Sequence, residues 1–150
     1  MMKKLLIALT TTLVLAPNVY ANNFKDTDHA IDYRKSAFGL IAYNFGDMGA
    51  MLKGKKDFDA AVFASRATNV AALSKIPHEG FIIGSDKGDT DALAKIWADK
   101  ADFDSKMIQF QENAAKLAVA AQGSDLGQIK DAFGNTAQSC KGCHDVYKKD

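Results

Sequence analysis

One stripe near the C-terminal end constrains what this chain can fold into. Leu126, Ile129, Phe133, Thr136, Cys140, Cys143 and Tyr147 follow one another at intervals of 3, 4, 3, 4, 3 and 4. That spacing draws a line along one face of a helix and turns the line toward a core. The only two cysteines of the chain both lie on it. Whatever they hold is therefore held toward the interior of a helical assembly rather than on a surface loop.

Cys140-Lys141-Gly142-Cys143-His144 has the C-x-x-C-H form of a c-type haem attachment site. Two intervening residues let both thiols reach the two vinyl groups on one porphyrin edge from a single helical turn. His144, next to the second thiol, is placed to give the iron an axial imidazole. A bare C-x-x-C also fits a redox dithiol or half of a zinc site. Zinc would want a second pair of ligands, and His29 and His78 stand alone in the sequence. A redox dithiol would open a helix after a strand, whereas this motif closes a helical pattern. A disulfide within one helical turn would be strained.

Three more helical patterns precede this one. Asp28 or Thr27 caps a first helix starting near His29, with Ile31, Phe38, Ile41, Phe45, Met48 and Leu52 as its stripe. Tyr33, Ala37, Leu40 and Met51 form a second apolar line beside it, a candidate subunit contact. A second helix runs from about Asp59 to Ile76, where Pro77 stops it. Residues 77–91 contain Gly80, Gly84 and Gly88 and read as a long connection, followed by a short piece with Leu93, Ile96 and Trp97. Phe103, Met107, Phe110, Ala114, Leu117 and Ala121 mark the third helix, which Gly123 ends. Asp125 with Gln128 makes a capping-box start for the fourth. No segment alternates as a strand does. The expectation is all-α: an antiparallel up-and-down four-helix bundle with covalent haem on its last helix.

The first residues are Met1-Met2-Lys3-Lys4, then an apolar run from Leu5 to Ala16, then Val19-Tyr20-Ala21. A basic start, a short apolar run and small residues at −3 and −1 read as a secretory signal peptide, residues 1–21, followed by one domain over 22–150. The run is short for a membrane span. Loss of Lys3 and Lys4 takes the 19 basic residues to 17, against 18 acidic, a net charge of −1. Such a balance carries neither a nucleic-acid footprint nor a polybasic membrane patch. Export and c-type haem support each other, because the haem is attached outside the bacterial cytoplasm. The expected location is the periplasm.

These features together resemble cytochrome c′, the class II cytochromes c. Beyond the attachment motif, Tyr33-Arg34-Lys35-Ser36-Ala37-Phe38, Ile96-Trp97, Ala132-Phe133-Gly134 and Asp145-Val146-Tyr147-Lys148 are similar to family segments. The resemblance implies one covalent haem c, attached through Cys140 and Cys143, with His144 on one face of the iron and no protein ligand on the other. It implies that Phe38 covers the open face and that Arg34 bonds a haem propionate, with Lys35 beside it at the haem edge and Trp97 nearby. Lys148 stands where the family usually has arginine near the proximal imidazole, and lacks the rigid fork of arginine. A homodimer through the first helix is also implied.

The function expected is reversible binding of nitric oxide and carbon monoxide, not dioxygen, with NO scavenging or buffering as its role. An apolar distal pocket offers no donor to the negative charge on bound dioxygen, a help that NO and CO need less. The rival is periplasmic electron transfer with an unknown redox partner, for which Met48, Met51 and Met107 are conceivable sixth ligands. An enzyme is not expected, since no His, Arg or carboxylate group suited to peroxide chemistry accompanies Phe38. If the Phe38 ring must move before a ligand enters, Phe38→Ala should raise the CO association rate of the ferrous protein roughly tenfold or more, an effect of ~1.4 kcal/mol on the barrier. Flash photolysis checks this, and an unchanged rate removes the steric gate.

Overall fold

The structure is a computed structural model that describes residues 23–149; the expected signal peptide lies outside them. Four long helices dominate: α1 (Thr27–Leu52), α2 (Ala60–Leu73), α4 (Lys100–Ala120) and α5 (Leu126–Tyr147). A 3-10 turn (Pro77–Gly80) and a short helix, α3 (Lys95–Ala98), lie in the crossing between α2 and α4.

Contacts along the helices fix their directions. Asn44 meets Asn69 and Asp47 meets Arg66, so α1 and α2 run antiparallel. Asn113 meets Asn135 and Asp102 meets Tyr147, so α4 and α5 do too. Gln111 donates to the Ser74 carbonyl where α2 and α4 lie side by side. This is the expected four-helix bundle.

Local chemistry moves several boundaries. Asp26, rather than Thr27 or Asp28, caps α1, its carboxylate accepting from the His29 N–H at 2.8 Å. Helix α2 ends at Leu73, before Pro77, and the Ser74 hydroxyl turns back to the Ala71 carbonyl at 2.8 Å. Gly123 follows α4 without a left-handed φ, so the helix closes instead on tight backbone bonds, Gln122 N–H to Val119 O and Gly123 N–H to Ala120 O. Asp125 caps α5 as expected, yet the Gln128 side chain bonds the Asp125 carboxylate rather than the backbone N–H of a capping box. The second apolar line of α1 is also uneven. Ala37 and Met51 are buried, whereas Leu40 is exposed, as is Tyr43 next to it in the outer face.

Two apolar cores result. The larger joins Ile41, Met48, Phe63, Val70, Phe110, Leu117 and Ile129. There α5 reaches α1 through a side chain: Phe45 stacks on Phe133 with ring centroids 4.1 Å apart, and Gly49 faces the edge of the Phe133 ring. The smaller joins Ile96, Phe103, Met107 and Tyr147. Phe38 packs against both, while Cys140 belongs to the first and Cys143 to the second. The attachment motif thus lies on the seam between the cores.

Gly80 sets the approach of the crossing to α1. A Cβ there would stand 2.9 Å from the Ala30 carbonyl oxygen and 2.9 Å from Arg34 Cβ. Gly80→Ala should therefore cost about 1–3 kcal/mol by overpacking, read as a lower urea midpoint for unfolding of the haem-loaded protein.

Candidate functional site

Between α1 and α5, where the helices part, lies a cavity of about 710 Å³. Protein interiors are otherwise close-packed, and a hollow of this size matches a cofactor pocket. From α1 its wall takes Arg34, Lys35, Phe38, Ile41, Ala42 and Phe45. From α4 and the crossing come Met107, Phe110, Phe103, Ile96 and Phe81, and from α5 Cys140, Cys143, His144 and Tyr147. Every site residue expected from the sequence reaches this one cavity.

The two thiols are unpaired. Burial pushes the Cys140 thiol up to about 11, helped by Cys143 beside it. Burial raises Cys143 as well, against a downward pull from the Lys106 charge. Both are neutral thiols at neutral pH, the opposite of the low-pKa thiolate of a redox dithiol or a metal ligand. They face apolar walls, as a porphyrin edge requires. Desolvation at the wall, then the charge of Lys148, holds His144 below the usual histidine value, against an upward pull from Asp145. A neutral imidazole is the form that ligates iron. Phe38 lies on the opposite wall, edge-on to Phe81 with ring centroids 6.3 Å apart.

Arg34 is buried, and its guanidinium bonds no carboxylate among the described residues. Nη1 donates to the Gly80 carbonyl at 2.9 Å and the Ser85 hydroxyl at 2.6 Å. Nη2 donates to the Ser85 carbonyl at 2.6 Å and the Thr90 hydroxyl at 2.9 Å. Its plane lies over Phe81, 4.5 Å from the ring centroid. These four bonds staple residues 80–90 to α1, a duty the sequence did not disclose, and they leave Nε as the group still able to meet a cofactor carboxylate.

Lys35 and Lys148, the other cations expected from the sequence, already have partners, as do Lys106 on the cavity wall and Lys141 outside it. Lys35 pairs with Asp89 at 2.5 Å and Lys148 with Asp91 at 3.2 Å. Lys106 lies 3.7 Å from Asp102, and Lys141 lies 2.5 Å from Asp145. A propionate role for Lys35 would compete with Asp89. Trp97 stands one layer behind the cavity wall, its ring centroid 5.9 Å from the Arg34 guanidinium carbon, and donates its Nε1–H to the Ile82 carbonyl at 3.0 Å. Of the three methionines considered as ligands, Met107 lines the cavity, while Met48 and Met51 are buried in the larger core.

Residues 81–92 were unrecognised as part of the site. Phe81, Asp89, Thr90, Asp91 and Ala92 form a wall, although a glycine-punctuated connection carries no periodic signal. The Tyr147–Asp102 pair was also missed. The Tyr147 hydroxyl donates to the Asp102 carboxylate at 2.6 Å and its ring is buried edge-on to Phe103.

A pair of half-buried thiols and an adjacent histidine on the wall of an apolar, cofactor-sized cavity in a helical bundle define a c-type cytochrome. Comparisons with known proteins narrow the class. The family described as Cytochrome C′ matches residues 29–148. Cytochrome c prime from Shewanella frigidimarina is 78% identical in sequence, covering 85% of this chain and 100% of that one, with a TM-score of 0.84. Cytochrome c′ from Rubrivivax gelatinosus is 44% identical, covering 84% of this chain and 99% of that one, with a TM-score of 0.80. A nitric oxide complex of a variant of cytochrome c prime from Alcaligenes xylosoxidans is 39% identical over 85% of this chain and 98% of that one, with a TM-score of 0.78. Another variant of that protein was solved with carbon monoxide bound. The chain belongs to the cytochrome c′ family, and its cofactor is one covalently bound haem c.

Tyr147 supplies a pH test of the site wall. Burial first, and the bond to Asp102 second, raise its pKa above the ordinary value. The folded protein keeps the phenolic proton where the unfolded chain gives it up. The resulting stability is complete below about pH 10 and is lost as the pH rises above it. Tyr147→Phe should cost about 1 kcal/mol at neutral pH and flatten the alkaline fall in stability, both read from denaturant unfolding as a function of pH.

Proposed function

We propose that this protein binds nitric oxide and carbon monoxide at its haem, without stable dioxygen binding, and serves to scavenge or buffer NO in the periplasm. The observation that carries this reading is the apolar stretch of the α1 wall beyond Arg34 and Lys35: Phe38, Ile41, Ala42 and Phe45 contain no side-chain nitrogen, oxygen or sulfur. When bound, haem c would supply an iron able to take an imidazole and a diatomic gas as ligands. Cys140 and Cys143 would fix the cofactor to the seam between the cores, and Arg34 would have Nε left to offer its carboxylate. His144 offers its neutral imidazole. Phe38 and Phe45 line the cavity and would exclude water from it, and the Phe38 ring would have to shift to admit a ligand. The same wall gives bound dioxygen no hydrogen bond for its developing charge, which disfavours that ligand more than NO or CO.

The nitric oxide and carbon monoxide complexes of the Alcaligenes protein support this reading by family membership. The apolar leader of residues 1–21 supports export, and no helix among the described residues is long and apolar enough to cross a membrane. Binding without turnover is the proposed activity. Leu40 and Tyr43, exposed on α1, are the proposed centre of a homodimer contact.

Electron transfer is the second reading, favoured by one observation: the Met107 thioether lines the cavity. The optical spectrum of the ferrous protein separates the two. Gas binding predicts a five-coordinate, high-spin spectrum that changes on adding NO and is unaltered in Met107→Leu. A six-coordinate, low-spin spectrum that resists NO and becomes high-spin in Met107→Leu establishes the electron carrier instead.

A further inference from the structure

His144 sits in the last turn of α5, six residues from the final residue of the chain. A terminal helical turn leaves its carbonyls without intrahelical partners and frays readily. In this protein it is held. Lys148 leaves the helix in an extended conformation, φ −118° and ψ 142°, and an antiparallel bridge joins it to Ala92. The Leu93 N–H donates to the Tyr147 carbonyl at 3.0 Å, and the Lys149 N–H donates to the Asp91 carbonyl at 2.8 Å. The Lys149 ammonium adds a bond to the Thr90 carbonyl at 3.0 Å.

The other side of this segment is anchored to α1. The Thr90 hydroxyl accepts from Arg34 Nη2 at 2.9 Å and from the Ala92 N–H at 3.1 Å. The Lys35 ammonium reaches the Asp89 carbonyl at 3.1 Å. Residues 89–93 thus connect the helix that bears Phe38 to the turn that bears His144, with Thr90 as the joint.

We propose that residues 89–93 are a strap that positions His144, and that Thr90 and the Lys149 N–H are its two working attachments. The strap keeps the His144 turn from swinging outward, so the imidazole stays seated while ligands act on the opposite side of the iron. Its tension is referred, through Thr90 and Arg34, to the helix that forms the ligand wall. This rests on His144 being the axial ligand, as the proposed function has it. Thr90 and Lys149 are positioning residues and make no bond to iron.

Lys149→Pro tests the strap at its outer end. Proline removes the N–H given to Asp91, and Lys148 is already in the extended conformation that a following proline favours. Thr90→Val, of nearly equal volume, tests the joint. Thr68→Val on exposed α2, whose hydroxyl bonds only its own helix at the Ala64 carbonyl, is the control. Resonance Raman on each ferrous, haem-loaded protein reads the iron–histidine stretch, and amide hydrogen exchange reads the Leu93 N–H.

Both strap variants should move the iron–histidine band to lower frequency and broaden it, with Leu93 exchange roughly tenfold faster and the control unchanged. An unshifted band alongside faster Leu93 exchange would overturn the proposal, leaving 89–93 as a tie of the fold alone. An unshifted band with unchanged exchange would overturn it equally, since the turn would then be held elsewhere. A parent protein with no iron–histidine band of a five-coordinate haem would instead count against the gas-binding reading itself.

Discussion

Helices α1 and α5 cannot pack against each other along their whole length, because a cavity of about 710 Å³ stands between them at one end. The rest of the structure answers that constraint. At the closed end, Phe45 and Phe133 stack and Gly49 leaves room for the tip of the Phe133 ring. At the open end, the contacts that α1 and α5 would have made are supplied by residues 80–93. Arg34 ties this segment to α1, and the bridge at Ala92 and Lys148 ties it to α5. The crossing is therefore a structural member as well as a connection. It replaces a helix–helix interface with one built from backbone carbonyls and a guanidinium.

A buried arginine without a carboxylate is costly to desolvate, and burial does lower its pKa. The planar fork recovers much of that cost through four oxygen acceptors and the Phe81 face. A lysine could not satisfy so many acceptors at fixed angles. The residue that appears from the sequence to serve the cofactor thus serves first as the keystone of the cavity wall.

The division between legible and hidden features has a physical basis. Stripes such as Phe103 to Ala121 were readable because burial follows the helical period, and each of those six residues is buried. Cys140, Cys143 and His144 were readable because their chemistry demands a fixed local spacing. The wall formed by Phe81 and residues 89–92 was not, since its position depends on partners some fifty residues away in the chain, as the Arg34–Thr90 bond illustrates. Lys35 and Lys148 both line the cavity, but their partners Asp89 and Asp91 come from that same segment. Helix ends shifted for a related reason. Asp26, Thr27 and Asp28 compete for one cap, and only the geometry of the first turn chooses among them.

The paired charges at the rim also bear on what the cavity encounters first. Lys35, Lys106 and Lys148 on the cavity wall each face an aspartate within 4 Å, so the mouth presents a partial ring of small dipoles rather than a lobe of one sign. The field of such a ring dies away within a few ångströms, shorter than the screening length of a physiological solution. An anion in the surrounding fluid is neither drawn in nor turned away from a distance, and an uncharged gas loses nothing by the lack of guidance. Admission is left to size and solubility in an apolar interior, and these properties do not change with the salt of the medium.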